Sequence, residues 1–334
     1  MAPASVREAV REAAARFAAA GSLTPRLDAE LLLAEALGVR RDALYREPER
    51  VLTDAEARRF SGFTGRRERR EPVAYIIGRR AFRTIELEVG PGALVPRPET
   101  ETLVEVALAE LARLDARLDR ELGVEEASSA AAGPDAAERG ETAAPRRPAP
   151  RVPRLLDVGT GSGAVALAVA SEHPGVRVVG VDIDSRALDI AGRNARRLGL
   201  TERVELFESD LFDGLPEGAR FDLIVSNPPY LTEDELAGVE REVRVYEPRH
   251  ALLGGSSGLD VHERLVPGAL PFLEPGGLLA VEIHEGRAVE VTALFKATGR
   301  YAEVTVHDDL GGAPRVVRGR ERARSAAVSA PGLS

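Results

Sequence analysis

The sequence predicts an α/β protein: a mostly parallel sheet flanked by helices, ending in an antiparallel strand pair, and preceded by a small helical domain and a β-hairpin. Three observations predict it. From about residue 154 onward, short apolar runs alternate with helical patterns, as in a parallel sheet with helices on both faces. Before about residue 70 the chain shows only helical periodicity and cap signals. Between these regions lies a stretch of period-two alternation.

The elements follow in order. Val6, Val10 and Phe17 sit at helical spacing and make an amphipathic first helix. Thr24-Pro25 is a cap followed by a first-turn proline, the run Leu27 to Leu37 follows it, and Gly38 ends the helix. Thr53 with Glu56 forms a capping box opening a helix to about Arg70. Between Val73 and Val95 the period changes to two, with Ile85, Leu87 and Val89 alternating against Glu86 and Glu88, which predicts a strand and one arm of a hairpin. Pro98 opens a helix through about Leu122, with Glu99 and Glu101 at its positive end. From Gly123 to Pro153 the composition collapses to Ala, Glu, Pro, Gly and Arg, which reads as a disordered insertion.

Beyond the insertion, strands are expected at Leu155–Val158, Val176–Val181, Val204–Phe207, Phe221–Ser226 and Leu278–Ile283. Helices are expected at Ala164–Ser171, Ser185–Leu198, around Leu259–Leu270 and near Ala288–Ala297. Tyr301–Val306 and Arg315–Val317 would form the terminal hairpin. The domain reading is a helical domain over 1–71, a hairpin connector over 72–97, the α/β domain over 98–320 carrying the insertion at 123–153, and a disordered tail over 321–334.

Composition narrows the function classes. A chain of 334 residues holds about two domains at roughly 150 residues each. With 54 acidic against 45 basic residues, the net charge of −9 argues against a protein whose main task is coating nucleic acid. There are 0 cysteines, which excludes disulfides, thiolate metal sites and cysteine nucleophiles. Lys296 is the one candidate for Schiff-base chemistry. No apolar run approaches a membrane span. Arg7, Glu8, Arg11 and Glu12 interrupt the start, where a signal peptide needs a continuous apolar stretch. A cytoplasmic monomer without membrane or direct nucleic-acid contact is expected. The five histidines show no metal-ligand spacing, so no metal is expected. Arg66-Arg67-Glu68-Arg69-Arg70 could meet RNA or an acidic partner, but reads first as a solvated helix face. Glu282 and His284 alternate on one strand and read as strand-end residues, with His284 at most bordering the cleft.

The ligand signal is Asp157-Val158-Gly159-Thr160-Gly161-Ser162-Gly163, at the first strand-to-helix turn. Glycines there let a ligand approach the backbone and let the helix pack tightly on its strand. The next apolar strand ends in Asp182, placed to accept both hydroxyls of a ribose. Together they indicate a nucleoside-containing cofactor. Gly159, Gly161 and Ala164 also satisfy the dinucleotide fingerprint, so NAD competes at this point. Asp157 favours a cationic group over a pyrophosphate.

The tetrapeptide Asn227-Pro228-Pro229-Tyr230, after the apolar run Leu223-Ile224-Val225, decides between them. The Asn227 side-chain carbonyl and the Pro228 backbone carbonyl are two acceptors, and the Tyr230 ring is a flat wall. Convergent acceptors can capture both hydrogens of an NH2 group, favour a pyramidal nitrogen and aim its lone pair at an electrophilic methyl group. No strong base is needed beforehand, because the product nitrogen can lose its proton after transfer. The structural alternative is a tight turn with a buried Asn cap.

This tetrapeptide resembles the Asp/Asn-Pro-Pro-aromatic signature of methyltransferases that act on planar nitrogens: adenine N6, cytosine N4 and glutamine amide. Nearly the whole chain resembles the HemK-type peptide chain release factor N5-glutamine methyltransferases, which have a class I, Rossmann-like methyltransferase fold. The matching stretches are Ser22 to Leu33, Glu71 to Gly78, Leu94 to Glu101, Asp157 to Gly163, Ser226 to Tyr230, Tyr246 to Pro248 with Ala251-Leu252, and Asp309 to Arg320.

The resemblance implies S-adenosyl-L-methionine as cofactor. Gly159, Thr160, Gly161, Ser162 and Gly163 would wrap its methionine part, Asp182 its ribose, and Asp210 and Leu211 its adenine. Asn227 would touch both cofactor and substrate. Asn227, Pro228, Pro229 and Tyr230 would hold the substrate amide, with Asn227, Pro228 and Tyr230 in the catalytic roles. The implied substrate is the glutamine of the Gly-Gly-Gln tip of class I release factors, gripped by the N-terminal helical domain. Leu211 stands where relatives often carry an aromatic ring, and the 123–153 stretch is longer than relatives usually carry. The same chemistry on a ribosomal protein glutamine or on adenine or cytosine of DNA is the second reading, and an NAD-dependent oxidoreductase the third.

Overall fold

The computed structural model describes residues 4–131 and 151–322. The N-terminal region is a cluster of four helices: α1 (Val6–Ala19), α2 (Pro25–Leu37), α3 (Ala43–Arg46) and α4 (Asp54–Glu68). Capping boxes at Ser5 with Glu8 and Thr53 with Glu56 start α1 and α4. Gly38, with φ 66°, ends α2 in a left-handed turn. Phe17, Ala29, Leu32, Leu33 and Phe60 bury together and hold these helices against one another.

The region expected to be extended from Val73 begins instead with a short helix, α5 (Val73–Ile77). Its sequence is β-branched, and tertiary contacts override that preference. The Arg66 guanidinium donates to the carbonyls of Tyr75 and Ile76 at 3.2 and 3.3 Å, satisfying the last turn. Tyr75 and Ile76 point into two different cores. The hairpin follows as β1 (Arg79–Phe82) and β2 (Ile85–Glu88), antiparallel, with Phe82 opposite Ile85.

After a single 3-10 turn at Pro98–Thr100, α6 runs over Glu101–Ala131, past the expected end at Leu122. Residues 123–131 are therefore helical and not part of a disordered insertion. Ala and Glu have high helix propensity, and extending an existing helix avoids the nucleation penalty. Residues 132–150 lie outside the described residues. Arg151–Pro153 belong to the sheet margin: Arg151 pairs with Asp222 at 3.0 Å and with Glu274 at 2.8 Å, and Arg177 donates to the Pro153 carbonyl.

The α/β region then alternates as expected: β3 (Arg154–Val158), α7 (Ala164–Glu172), β4 (Arg177–Asp182), α8 (Ser185–Arg197), β5 (Val204–Glu208) and β6 (Phe221–Ser226). Two short helices that the sequence did not suggest follow, α9 (Glu233–Gly238) and α10 (Arg241–Tyr246). The chain ends with α11 (Asp260–Gly268), β7 (Leu273–Glu282), α12 (Ala288–Ala297), β8 (Tyr301–Asp308) and β9 (Pro314–Glu321). Glu321 is thus the last residue of a strand, paired with Arg300 at 2.5 Å, and not the first of a tail; residues 323–334 lie outside the described residues.

The seven strands are ordered β5-β4-β3-β6-β7-β9-β8. The first five in that order are parallel and the last two pair antiparallel. One face packs on α6, α7 and the hairpin through residues such as Leu103, Leu111 and Leu167. The other packs on α11 and α12 through Leu265, Val291 and Phe295. Among the described residues, no helix is long and apolar enough to cross a membrane.

The arginine run at 66–70 is not a solvated face. Arg67 and Arg70 turn inward to a carboxylate of α10: Arg67 Nη2 donates to Glu242 Oε1 at 2.8 Å, and Arg70 pairs with the other oxygen. Arg67 Nε also donates to Asp28 Oδ2 at 2.8 Å, so the network spans α2, α4 and α10. Burial alone would raise the Glu242 carboxyl, yet the hydrogen bonds from the two arginines hold it below the usual range.

Candidate active site

Sheet register builds the site. Val158 of β3 lies opposite Ser226 of β6, and the Ser226 hydroxyl donates to the Val158 carbonyl at 2.7 Å. The residues that leave these strands, Gly159 and Asn227, therefore emerge side by side. A Cβ built on Gly159 would stand 4.0 Å from the Asn227 carbonyl oxygen. On the other side Val158 lies opposite Val181, whose carbonyl accepts from Gly159 and Thr160 at 2.8 and 2.9 Å. Chain order reverses here, with β4 and β5 on one side of β3 and β6 and β7 on the other. Such a switch point opens a crevice at the carboxyl ends of the strands.

The turn is built for close approach. Gly159, Gly161 and Gly163 have φ of 74°, 58° and 83°. These are left-handed values that side-chain-bearing residues adopt only with strain. At Gly163 a Cβ would meet Leu167 Cδ1 at 2.8 Å, so this glycine seats α7.

Asp182 closes the turn. Its Oδ2 accepts from Gly161 N–H at 2.8 Å and its Oδ1 from Asp184 N–H at 2.9 Å. Burial raises its carboxyl, with the two amide bonds working in the opposite direction. Asp157, 1% exposed, accepts from the Thr160 hydroxyl at 2.7 Å and from Ala166 N–H at 3.1 Å. Burial pushes it up to about 6.

That shift has a stability consequence. A carboxyl raised in the folded state contributes stability that is present below its unfolded value of 3.8 and is lost as the pH rises through about 6. Asp157→Asn removes the ionised form while keeping an acceptor for Thr160. Above pH 7 the ligand-free variant should be more stable than the parent by up to about 3 kcal/mol, with the gain vanishing toward pH 4. Urea unfolding at several pH values measures this, and a variant less stable than the parent at pH 8 would contradict it.

A cleft of about 340 Å³ results, and Gly159, Thr160, Gly161, Ser162, Asp182, Asp210, Leu211, Asn227 and Pro229 all line it. Gly163, Pro228 and Tyr230 lie beside it, not in its wall. Pro228 is buried directly after the strand. The Tyr230 ring packs with Leu231, Leu236 and Leu252 and meets His284 edge-on at 6.0 Å between centroids. Leu211 sits at φ 53°, in a turn held by Ser209, whose hydroxyl donates to the Leu211 carbonyl at 3.0 Å. Asp210 is paired with Arg264 at 2.9 Å, and both are on the wall.

Several wall residues had no assigned role in the sequence reading. Leu94, Pro96, Arg97 and Thr100 come from the loop before α6, and His250 and Leu253 from the segment after α10. Glu247 ties these two segments together, accepting from Arg97 at 2.6 Å and from Val95 N–H at 3.2 Å. The Pro96-Arg97-Pro98 run was a visible signal for a fixed loop; in the 231–253 segment the signal was the family resemblance of Tyr246 to Pro248 and Ala251-Leu252, which assigned no role to His250 or Leu253. Thr100 matters most, because Asn227 Nδ2 donates to its hydroxyl at 3.1 Å. Among the described residues, no group of three or more His, Asp or Glu could hold a metal ion.

This strand order, with its cleft at the switch point, places the protein among the class I methyltransferases. Two family profiles match the chain: the PrmC N-terminal domain over residues 8–78 and the methyltransferase small domain over residues 146–243. A release factor glutamine methyltransferase of Geobacter sulfurreducens is 39% identical over 295 residues, covering 88% of this chain and 89% of the relative. The proteins of the same name from Rhodopirellula baltica and Koribacter versatilis are 38% and 37% identical, covering 90% and 95% of this chain and 91% and 99% of theirs. The chain belongs to the release factor glutamine methyltransferase family.

Proposed function

We propose that the protein methylates the side-chain nitrogen (N5) of the glutamine in the Gly-Gly-Gln tip of class I peptide chain release factors, acting as a cytoplasmic monomer. Family membership answers the cofactor question that the glycine turn left open, in favour of S-adenosylmethionine. The cleft suits it: three left-handed glycines make a wall without side chains, a buried carboxylate lies at the next strand end, and an apolar residue, Leu211, faces the same space. The turn 159–163 would hold its methionine part, Asp182 its ribose, and Asp210 with Leu211 its adenine. Bound there, it supplies an electrophilic methyl group.

The observation that carries the reading is the orientation of Asn227. Its Nδ2 donates to Thr100, and Oδ1 would then be free to accept from a substrate in the cleft that Asn227 lines. Asn227 Oδ1 and the Pro228 carbonyl would take the two N–H bonds of the substrate amide. Resonance makes an amide nitrogen a poor nucleophile; holding both hydrogens out of the amide plane restores lone-pair character. The nitrogen would form its new bond to the methyl carbon as the sulfonium's carbon–sulfur bond breaks, the electron pair staying on sulfur as a neutral thioether, and would then shed one held proton to water. Burial pushes the Tyr230 hydroxyl up to about 12, so it stays neutral beside the cleft, where its ring would flank the substrate amide. Labelled methyl transfer tests the assignment. A release factor with the tip glutamine changed to alanine should accept none, and undiminished labelling of it would contradict the assignment.

Asp182 carries a second expectation. Asp182→Ala removes a charge-assisted acceptor for the ribose and also releases Gly161 N–H. Affinity for S-adenosylmethionine should fall by about 1.5–3 kcal/mol, roughly 10- to 150-fold. Titration calorimetry measures it, and unchanged affinity in a folded variant would remove Asp182 from the site.

A further inference from the structure

The end of β5 is fixed beside the end of β4: Asp182 lies opposite Glu208, and Ser209 N–H donates to the Asp182 carbonyl at 2.9 Å. The Ser209 hydroxyl accepts from Gly214 N–H at 2.8 Å and donates to the Leu211 carbonyl at 3.0 Å, which pins the turn that carries Asp210. Leu211 takes a left-handed φ of 53° in that turn; such values cost a side-chain-bearing residue energy and cluster at ligand sites. From α11, Val261 and Arg264 are three residues apart, share one helix face and both line the cleft. Arg264 Nη2 donates to Asp210 Oδ2 at 2.9 Å, one bond where a guanidinium and a carboxylate can make two. Asp210 Oδ1 and the other Arg264 N–H groups would then be available to a ligand. The two side chains are 56% and 44% exposed, so the pair contributes little to holding the fold.

We propose that the Asp210–Arg264 pair reads the base of the cofactor, with Arg264 a specificity-determining residue that donates to a ring nitrogen of adenine beside the amine taken by Asp210. The proposal rests on the placement of adenine at Asp210 and Leu211. A base joined to a ribose held at Asp182 reaches the neighbouring strand end, where this pair lines the same cleft. Adenine carries its exocyclic amine, a donor, between two ring acceptors, N1 and N7. A carboxylate can only accept and a guanidinium can only donate. Side by side, they match an amine next to a ring nitrogen and mismatch a base with oxygen at C6. In hypoxanthine that oxygen would face the Asp210 carboxylate, two acceptors with no proton between them. Leu211 and Val261 offer apolar contact to any purine, so the choice of base falls to Asp210 and Arg264.

Titration calorimetry on the full chain with S-adenosylhomocysteine, its 1-deaza and 7-deaza analogues and S-inosylhomocysteine tests this. The parent should bind one of the deaza analogues about 3- to 10-fold more weakly than S-adenosylhomocysteine, the effect of one hydrogen bond. Arg264→Ala should lose the same factor toward S-adenosylhomocysteine and no longer distinguish that analogue from it. Thermal unfolding of the ligand-free variant should match the parent within about 2 °C, as expected for a half-exposed ion pair. S-inosylhomocysteine should bind the parent at least about 10-fold more weakly than S-adenosylhomocysteine, and Asp210→Asn, whose amide can donate to the C6 oxygen, should narrow that gap. Equal affinity of the parent for S-adenosylhomocysteine and both deaza analogues, or the parent's preference intact in folded Arg264→Ala, would overturn the proposal. If Asp210→Asn leaves the inosyl gap unchanged, the placement of adenine at Asp210 has failed and this inference with it. If the gap narrows while Arg264→Ala keeps the parent's affinities, this inference alone has failed.

Discussion

Asn227→Ala is expected to lower single-turnover methyl transfer by about 10²–10³, roughly 2.7–4 kcal/mol, because one preorganised polar group is lost from the reacting centre. Binding of the release factor should survive nearly intact, since Asn227 is proposed to contact the tip glutamine alone. Register brings Asn227 beside Gly159, and Thr100 anchors its amide, so alanine removes a positioned acceptor without opening a core cavity. Tyr230→Phe should be mild, as the ring remains and the hydroxyl is neutral. Tyr230→Ala should be worse, because the ring proposed to flank the amide is gone and the Leu231, Leu236 and Leu252 cluster loses a neighbour. A pull-down run beside the rate measurement separates chemistry from docking. Parental turnover by Asn227→Ala would make Asn227 a structural cap.

Arg67→Ala should destabilise the fold by about 3–5 kcal/mol, the usual effect of removing one partner from a buried ion network. The Arg67 and Glu242 side chains are only 4% and 11% exposed, so Glu242 keeps Arg70 but its other oxygen cannot recover water in place of the lost Arg67 bond. The acid at risk is Glu242, which is held low in the fold. Its contribution is therefore present above its unfolded value near 4.5 and lost as the pH falls through the folded one. The difference between parent and variant in urea unfolding should thus be largest above pH 5 and shrink on further acidification. Arg67→Ala/Glu242→Leu should be less destabilised than the sum of the singles, as the carboxylate left short of one partner is removed as well. A loss under 1 kcal/mol at pH 7 would show that the network is solvated.

What the sequence disclosed depended on how local the cause was. The parallel strands were legible because each is a short, almost wholly apolar run, and Phe221–Ser226 falls where its pattern places it. The cleft positions of the glycine turn, Asp182 and Asn227 were legible because each directly follows or ends a predicted strand. Helix α5 was not, since its last carbonyls are satisfied by Arg66 and not by its own sequence. The fate of Arg67 was hidden because Glu242 lies 175 residues away, and the anchor of Asn227 because Thr100 lies 127 away. Glu282 read as an ordinary strand end; only the β6–β7 register shows that it stands beside Asn227.

The most direct test of the central claim is mass spectrometry of class I release factors purified from cells with and without this protein. The Gly-Gly-Gln peptide should carry one methyl group on its glutamine side chain when the protein is present and none when it is absent. An identical mass for that peptide in both strains would contradict the assignment.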